Sequence, residues 1–401
     1  MGICLIFALP GSNAAIFAPA KAQAQGYPSG PAAIETLTRS GFEHFYSLEY
    51  EQAINDFQKA AAASPDDPRV LNHLLEAVLF QTLYRYDALD TSLYTHQRFI
   101  SSKQAPAEPA TRQRIRDLAA QSLALPEKRL KANPNDVQAL YAHGVAKGLL
   151  GTYLALVEHS WITALRNALA ARSDHEQALK LAPDFIDAKT VVGIHNYVVG
   201  SLPLPIKAMA GLTGIHGDKR KGLDYLFEVA RARVESSEDA RVALGLFLRR
   251  EERFKEAVEV VHTLVEQHPR NFLFALEEAN LMKDAGQGPA AIAAFHALLR
   301  RYAEGKYPEA HVELAQYDLA ETLRGQEQLP EALQNYLAAG KSQSHNHELR
   351  QRALLAAGEI SDLLAQRAAA LQQYQAVIEV DSSSGEAAMA RKYLGSPYHG
   401  R

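Results

Sequence analysis

Cysteine is all but missing. Cys4 is the single one in 401 residues. One thiol cannot close an intramolecular disulfide or build a cysteine zinc site. Charge of one sign is lacking as well. Lys and Arg number 42 against 46 Asp and Glu, a net charge of −4, so no broad basic field awaits a nucleic acid. The run Lys219-Arg220-Lys221 is short and reads as solvated, as do the carboxylates Glu251 and Glu252. No stretch alternates apolar and polar residues in the manner of a strand. The apolar run around Leu202 is interrupted by two prolines and flanked by His195 and Asn196, which excludes a transmembrane helix.

Catalytic signatures are scarce too. Neither His-Glu-x-x-His nor Gly-x-Ser-x-Gly occurs. Gly211 to Lys219 fails the Walker spacing, with Asp218 before the lysine and no strand ahead of it. His345-Asn346-His347-Glu348 lies in a polar loop without a second ligand cluster at zinc spacing. No cofactor, metal or small-molecule substrate is expected, and the chain reads as no enzyme. The one constellation to weigh is His159, Trp161, His195 and Tyr197, which needs all four in a single enclosed pocket.

What the chain has is self-similarity. Gly41, Ala53, Phe57, Ala60 and Pro65 stand at offsets of 12, 16, 19 and 24. Gly245, Ala257, Val261, Leu264 and Pro269 repeat them. So do Ala279, Ala291, Phe295 and Leu298, then Ala320, Ala332, Tyr336 and Ala339, then Gly358, Ala370, Tyr374 and Val377. Residues four apart share a helical face, so each Ala and the large residue after it form one seam. The small residue of the first helix lets the second come close. Pro65 and Pro269 stop the second helix, and Asp66 or Asn271 is placed to cap the next one.

A period of about 34 residues with this pattern resembles the tetratricopeptide repeat (TPR). The resemblance implies an all-α fold, an α-α superhelix of antiparallel helix pairs with an irregular middle. A narrower resemblance rests on Asn196-Tyr197-Val198-Val199-Gly200-Ser201-Leu202-Pro203-Leu204-Pro205, Gly214-Ile215-His216-Gly217-Asp218-Lys219 and Gly222-Leu223-Asp224-Tyr225-Leu226. These are similar to exported TPR proteins of acidobacterial type, over most of the chain from about residue 40 to 300. Over about 40 residues they also resemble the eukaryotic TPR family of the mitochondrial outer membrane and inclusion-body clearance. Neither resemblance implies a reaction.

The expected organisation is as follows. Residues 1–24 read as a secretory signal, with Ala20-Lys21-Ala22 and Ala22-Gln23-Ala24 as cleavage sites, although a basic start is missing and Pro10 and Asn13 interrupt the apolar core. A linker fills 25–33, N-terminal helices 34–100, a Pro/Ala/Ser loop 101–111. An irregular region spans 112–236 and holds a Leu-Pro and Gly-rich insertion at 200–222. The segment Gly151 to Leu181 is an unusual repeat partner, and Gly211, Gly214 and Gly217 make a tight turn. A regular array follows at 237–384, then a capping helix and tail at 385–401. The export signal implies a periplasmic or envelope location.

In TPR arrays the first helices line a groove. By the period, its positions include Phe42 and Phe45, Tyr141, Tyr197, Arg249, Asn280 and Lys283, and Tyr317 and Arg324. Tyrosine and arginine are the side chains that anchor interfaces. The clamp for a peptide carboxylate is disfavoured, because Thr38 and Phe42 hold the first-repeat places that it fills with lysine and asparagine. The reading is a non-catalytic scaffold for a protein or peptide partner. A second reading uses Leu202–Leu212 for peripheral membrane or lipid contact.

Overall fold

The computed structural model describes residues 32–86, 88–89, 107–204, 207, 211, 214–342 and 346–400. The signal-like segment, residues 101–106 of the expected loop, His345 and most of Leu202–Leu212 lie outside those residues. Among the described residues every long element is a helix and no strand occurs. The chain divides into two compact units, residues 1–268 and 269–401.

The first unit holds five helix pairs. They are α1 (Ala32–Phe45) with α2 (Tyr50–Ala63), α3 (Pro68–Arg85) with α4 (Pro109–Ala132), and α5 (Val137–Leu156) with α6 (Trp161–Leu181). After a 3-10 turn at Ile186–Ala188 come α7 (Lys189–Gly200) with α8 (Lys219–Ala232) and α9 (Ser237–Arg250) with α10 (Phe254–Gln267). The second unit pairs α11 (Phe272–Asp284) with α12 (Gly288–Ala303), α13 (Val312–Gly325) with α14 (Leu329–Gly340), and α15 (His347–Leu363) with α16 (Arg367–Val380). Helix α17 (Gly385–Gly395) covers the last pair. Within each unit the successive pairs stack, as a TPR-like solenoid does.

The repeat seams explain the pairing. Ala53, Phe57, Ala257, Val261, Ala291, Phe295, Ala332, Tyr336, Ala370 and Tyr374 are all 2% exposed or less. A Cβ on Gly41 would lie 2.5 Å from the Phe57 ring, and one on Gly358 as close to the Tyr374 ring. A Cβ on Gly245 would meet a Val261 methyl at 2.8 Å. Each bulky residue occupies the space that the small one vacates.

Helix starts follow the capping rule. Asp67, and not the expected Asp66, accepts the Arg69 N–H ahead of Pro68 in the first turn of α3. Asn271 accepts from Phe274 N–H, and Asp136 from Ala139 N–H. Helix α5 runs through Gly151 to Leu156, so the long segment Gly151 to Leu181 is really the end of one helix and the whole of the next. In that pair His175 takes the bulky role. It is fully buried against Gly144, and its Nδ1 donates to Ala171 O at 2.7 Å.

The middle motif is the seam between α7 and α8. A Cβ on Gly222 would lie 2.5 Å from Tyr197 N and 2.6 Å from Gly193 O. One on Gly217 would lie 2.6 Å from Gly200 N. These two glycines serve backbone-to-backbone approach, whereas Gly214 turns the chain with φ +78° and has open space around it. Glu251 closes this corner. It accepts from Tyr197 OH at 2.9 Å and from Lys219 Nζ at 2.6 Å, and its side chain is 11% exposed. Glu251 and Lys219 are therefore internal ties and not the solvated charges expected, while Arg220, Lys221 and Glu252 are exposed.

Gly222→Ala should lower stability by about 1–3 kcal/mol through overpacking, less the roughly 1 kcal/mol that alanine gains over glycine in a helix. Gly245→Ala, which meets only a methyl, should cost less. Urea midpoints order the two; equal midpoints would show that α7 and α8 can part freely.

Burial brings the His175 pKa down from 6.5 to about 4. Below pH 6.5 the unfolded chain then binds a proton that the folded chain refuses. Stability falls as pH drops from 6.5 to about 4, by up to about 3 kcal/mol from this residue. His175→Phe, which copies Phe57 at the matching seam, should shrink the loss between pH 7 and 5. An unchanged loss in urea melts of the variant would assign it elsewhere.

Candidate binding site

Helix α3 is buried on two faces. Leu71, Leu74, Leu75, Val78 and Leu79 form its apolar side, and Arg69, Asn72, His73 and Glu76 recur at i, i+3, i+4 and i+7 on another. All four of the latter are between 3% and 6% exposed. They face a recess completed by Phe42 from α1, by Tyr141, Ala142 and Val145 from α5, and by Glu235, Ser236 and Asp239 at the start of α9. The first helices of four pairs in the first unit thus meet at one place. The recess measures about 390 Å³ with its open mouth.

Each wall is held by bonds behind it. Arg69 is turned to Glu35 at 2.7 Å and Asp67 at 3.3 Å. Asn72 Nδ2 donates to Ala142 O at 2.9 Å. His73 Nε2 pairs with Glu235 Oε1 at 2.8 Å, and Tyr46 OH donates to Asp239 Oδ1 at 3.1 Å. The turn before α9 is fixed by buried Asp187, which accepts from Ser236 N–H at 2.9 Å and from Ser236 Oγ at 2.8 Å. Arg233 reverses the chain there with φ +55°.

The electrostatics are lopsided. Burial pushes the Asp239 carboxyl up from its ordinary value, and the neighbouring Glu235 adds to the rise. Burial also works to raise Glu235, but His73 and Arg69 outweigh it and the net shift is downward. Two side chains of α3 are left short of partners. Asn72 Oδ1 and His73 Nδ1 are buried and have no hydrogen-bond partner among the described residues.

Of the nine groove positions expected from the period, the recess brings together Phe42 and Tyr141. Phe45 is core, ringed by Tyr50 and Phe80. Tyr197 is fully buried and stacks on Phe247 at 3.8 Å. Arg249 is 7% exposed. In the second unit, Asn280 donates to Asp318 at 2.8 Å beside Lys283, which reaches Asp318 at 3.5 Å. Tyr317 takes a hydrogen bond from Arg352 at 3.0 Å, and Arg324 pairs with Glu359 at 2.9 Å. These four residues link neighbouring first helices to one another.

The four candidate catalytic residues do not converge. His159 and Trp161 neighbour each other at the entry to α6, ring centroids 6.0 Å apart. His195 accepts from Arg172, eleven residues along α6 from Trp161 and so roughly 16 Å away at 1.5 Å per residue. Tyr197 OH is committed to Glu251. The period missed Arg69, Asn72, His73, Glu76, Glu235 and Asp239. Five of these six are charged or titratable, and the polar stripe of α3, on a helix whose other stripe is apolar, is the signal that marks the four it carries.

No family model and no curated protein matches the chain. Solved structures resemble it distantly. The structure from a functional characterisation of Pseudomonas aeruginosa pilF is 15% identical, covering 65% of this chain and 99% of its own, with a TM-score of 0.40. Yeast Tom70 is 12% identical over 90% and 88% of the two chains, TM-score 0.40. The human IFIT1 dimer with m7Gppp-AAAA is 14% identical over 92% and 84%, TM-score 0.42. The helix pairing within each unit, and not these likenesses, defines the fold. They leave the expectation of no nucleic-acid partner without support.

Proposed function

We propose that the chain is a non-catalytic scaffold that holds an extended segment of a partner protein against the first helices of residues 1–268. One observation carries this reading. Side chains from α1, α3, α5 and the start of α9 surround a recess in which buried Asn72 Oδ1 and His73 Nδ1 have no hydrogen-bond partner within the described chain. A buried polar atom without a partner costs roughly 1–3 kcal/mol, and a bound ligand removes that cost. Phe42 and Tyr141 add aromatic walls beside the polar floor. The export-like start of the sequence supports work in the periplasm or envelope.

A photoreactive phenylalanine analogue at Phe42 and at Tyr141 replaces one aromatic ring by another. In cells, both positions should capture the same protein, and position 197, inside the core, should capture none. Capture equal at all three positions would sink the reading.

A second reading is favoured by Leu204, which is 83% exposed in the Leu-Pro segment. Among the described residues no helix is long and apolar enough to cross a membrane, so contact here is peripheral. Liposome flotation tests it: Leu204→Asp should abolish flotation, and a variant that floats as well as the parent removes the membrane role.

A further inference from the structure

We propose that the corner formed by the C-terminal ends of α13 and α15 and by α17 is a socket for a tyrosine on an extended segment. Residues 396–400 of this chain are the ligand that fills it, and a partner segment of the same chemistry displaces them. The socket lies within the second unit and shares no residue with the recess of the first.

The shape of the filler follows from its sequence. Helix α17 ends at Gly395, and Ser396 N–H makes its last bond, to Lys392 O at 3.1 Å. Pro397 keeps the residue before it out of the helical region, and Ser396 is extended at φ −142°, ψ 132°. The chain runs on without helix through Gly400. Ser396, Pro397, His399 and Gly400 are exposed, and Tyr398 alone turns inward.

Three contacts read that residue. Its backbone N–H donates to Asp362 Oδ2 at 2.8 Å. The Asp362 side chain is only 1% exposed, and it also accepts from Arg367 at 3.0 Å and from Tyr374 OH at 2.9 Å. The Tyr398 ring meets the Tyr393 ring edge to face, centroids 5.3 Å apart, and packs on the buried cluster around Tyr374. Its hydroxyl accepts from Arg324 at 3.2 Å, and the same guanidinium pairs with Glu359 at 2.9 Å. A backbone donor, a ring and a phenol oxygen are thus recognised together, whichever chain supplies them.

The socket does not depend on the tail for its form. Arg367 and Tyr374 still hold Asp362, and Glu359 still holds Arg324, when Tyr398 leaves. Such a site is preorganised, and binding to it loses little to ordering the receptor. The tail in turn holds on by one residue, and its tether supplies the rest, as an effective concentration of about millimolar for a short link.

The test uses the full chain and an acetylated, fluorescent peptide copying residues 394–400, with Tyr, Phe or Ala at the position of Tyr398. Tyr398→Ala empties the socket. That variant should bind the Tyr peptide at least tenfold more tightly than the Ala peptide, and the parent should bind it at least tenfold more weakly than the variant, because its own tail competes. Adding Arg324→Gln to the variant should bring the Tyr peptide down to the Phe peptide. A circular-dichroism melt checks both folds. A second measurement needs no emptied socket: in a Cys4→Ser, His399→Cys chain carrying a dye at the exposed position 399, saturating Tyr peptide should lower the dye's anisotropy and the Ala peptide should not. Equal binding of the Tyr and Ala peptides would overturn the socket. No binding to a folded Tyr398→Ala chain, or no release of the dye, would make the tail a fixed cap and overturn it as well.

Discussion

Two helices approach only as closely as the side chains between them allow. Everything in this chain depends on how that space is shared. The first helix of a pair supplies Gly41, Gly245, Ala279, Ala320 or Gly358, and the second inserts Phe57, Val261, Phe295, Tyr336 or Tyr374. A methyl added to the small partner collides with the large one at Gly41, Gly245 and Gly358. The exchange lets a pair bury aromatic rings completely while its backbones stay near each other. One pair alone has too little apolar surface to hold, so the seam must continue into the next pair. Packing at native density leaves little slack, and that is why single-atom changes at these glycines matter.

The two irregular pairs are variations on that constraint. Between α5 and α6 the bulky residue is a histidine, which fills the same space but adds a titratable group to a dry seam. Between α7 and α8 the exchange is carried to its limit, with Gly193, Gly217 and Gly222 letting backbone meet backbone. Tyr197 meets Gly222 of α8 with its backbone, and its ring packs forward onto Phe247 of α9, where Glu251 anchors its hydroxyl. One contact therefore joins α7 to the end of α9, and Lys219 ties the start of α8 to the same carboxylate.

The regular seams were legible because they repeat. Ala53 through Ala60 and Ala257 through Leu264 announce a helix face by spacing alone, and the structure buries them as expected. The middle was harder to read because glycine close to backbone and glycine in a turn look alike in sequence. Gly214 is a turn glycine and Gly217 a contact glycine, three residues apart. The site was harder still. Extrapolating the period selects first-helix positions, but it does not say which of them the fold consumes. Tyr197 and Phe45 went to the core, and Tyr317 and Arg324 to bonds with neighbouring helices. The recess draws Glu235 and Asp239 from a turn 162 and 166 residues beyond His73, and no local pattern foretells that meeting.

That meeting is costly to the fold taken alone. A helix with an apolar stripe would bury more favourably if its other stripe were also apolar, since replacing buried polar pairs by apolar residues is often neutral or stabilising. Helix α3 instead carries Arg69, Asn72, His73 and Glu76 into its dry second face. Elsewhere in the first unit some buried polar groups are paired, Asp187 and Thr190 with Ser236 and Tyr197 with Glu251, and others such as Thr38 Oγ1, Ser122 Oγ and His175 Nε2 are not. At the recess the pairing stops short at Asn72 Oδ1 and His73 Nδ1, which are buried without a hydrogen-bond partner. Buried atoms short of a partner, set beside the aromatic walls of Phe42 and Tyr141, give a bound segment something to complete.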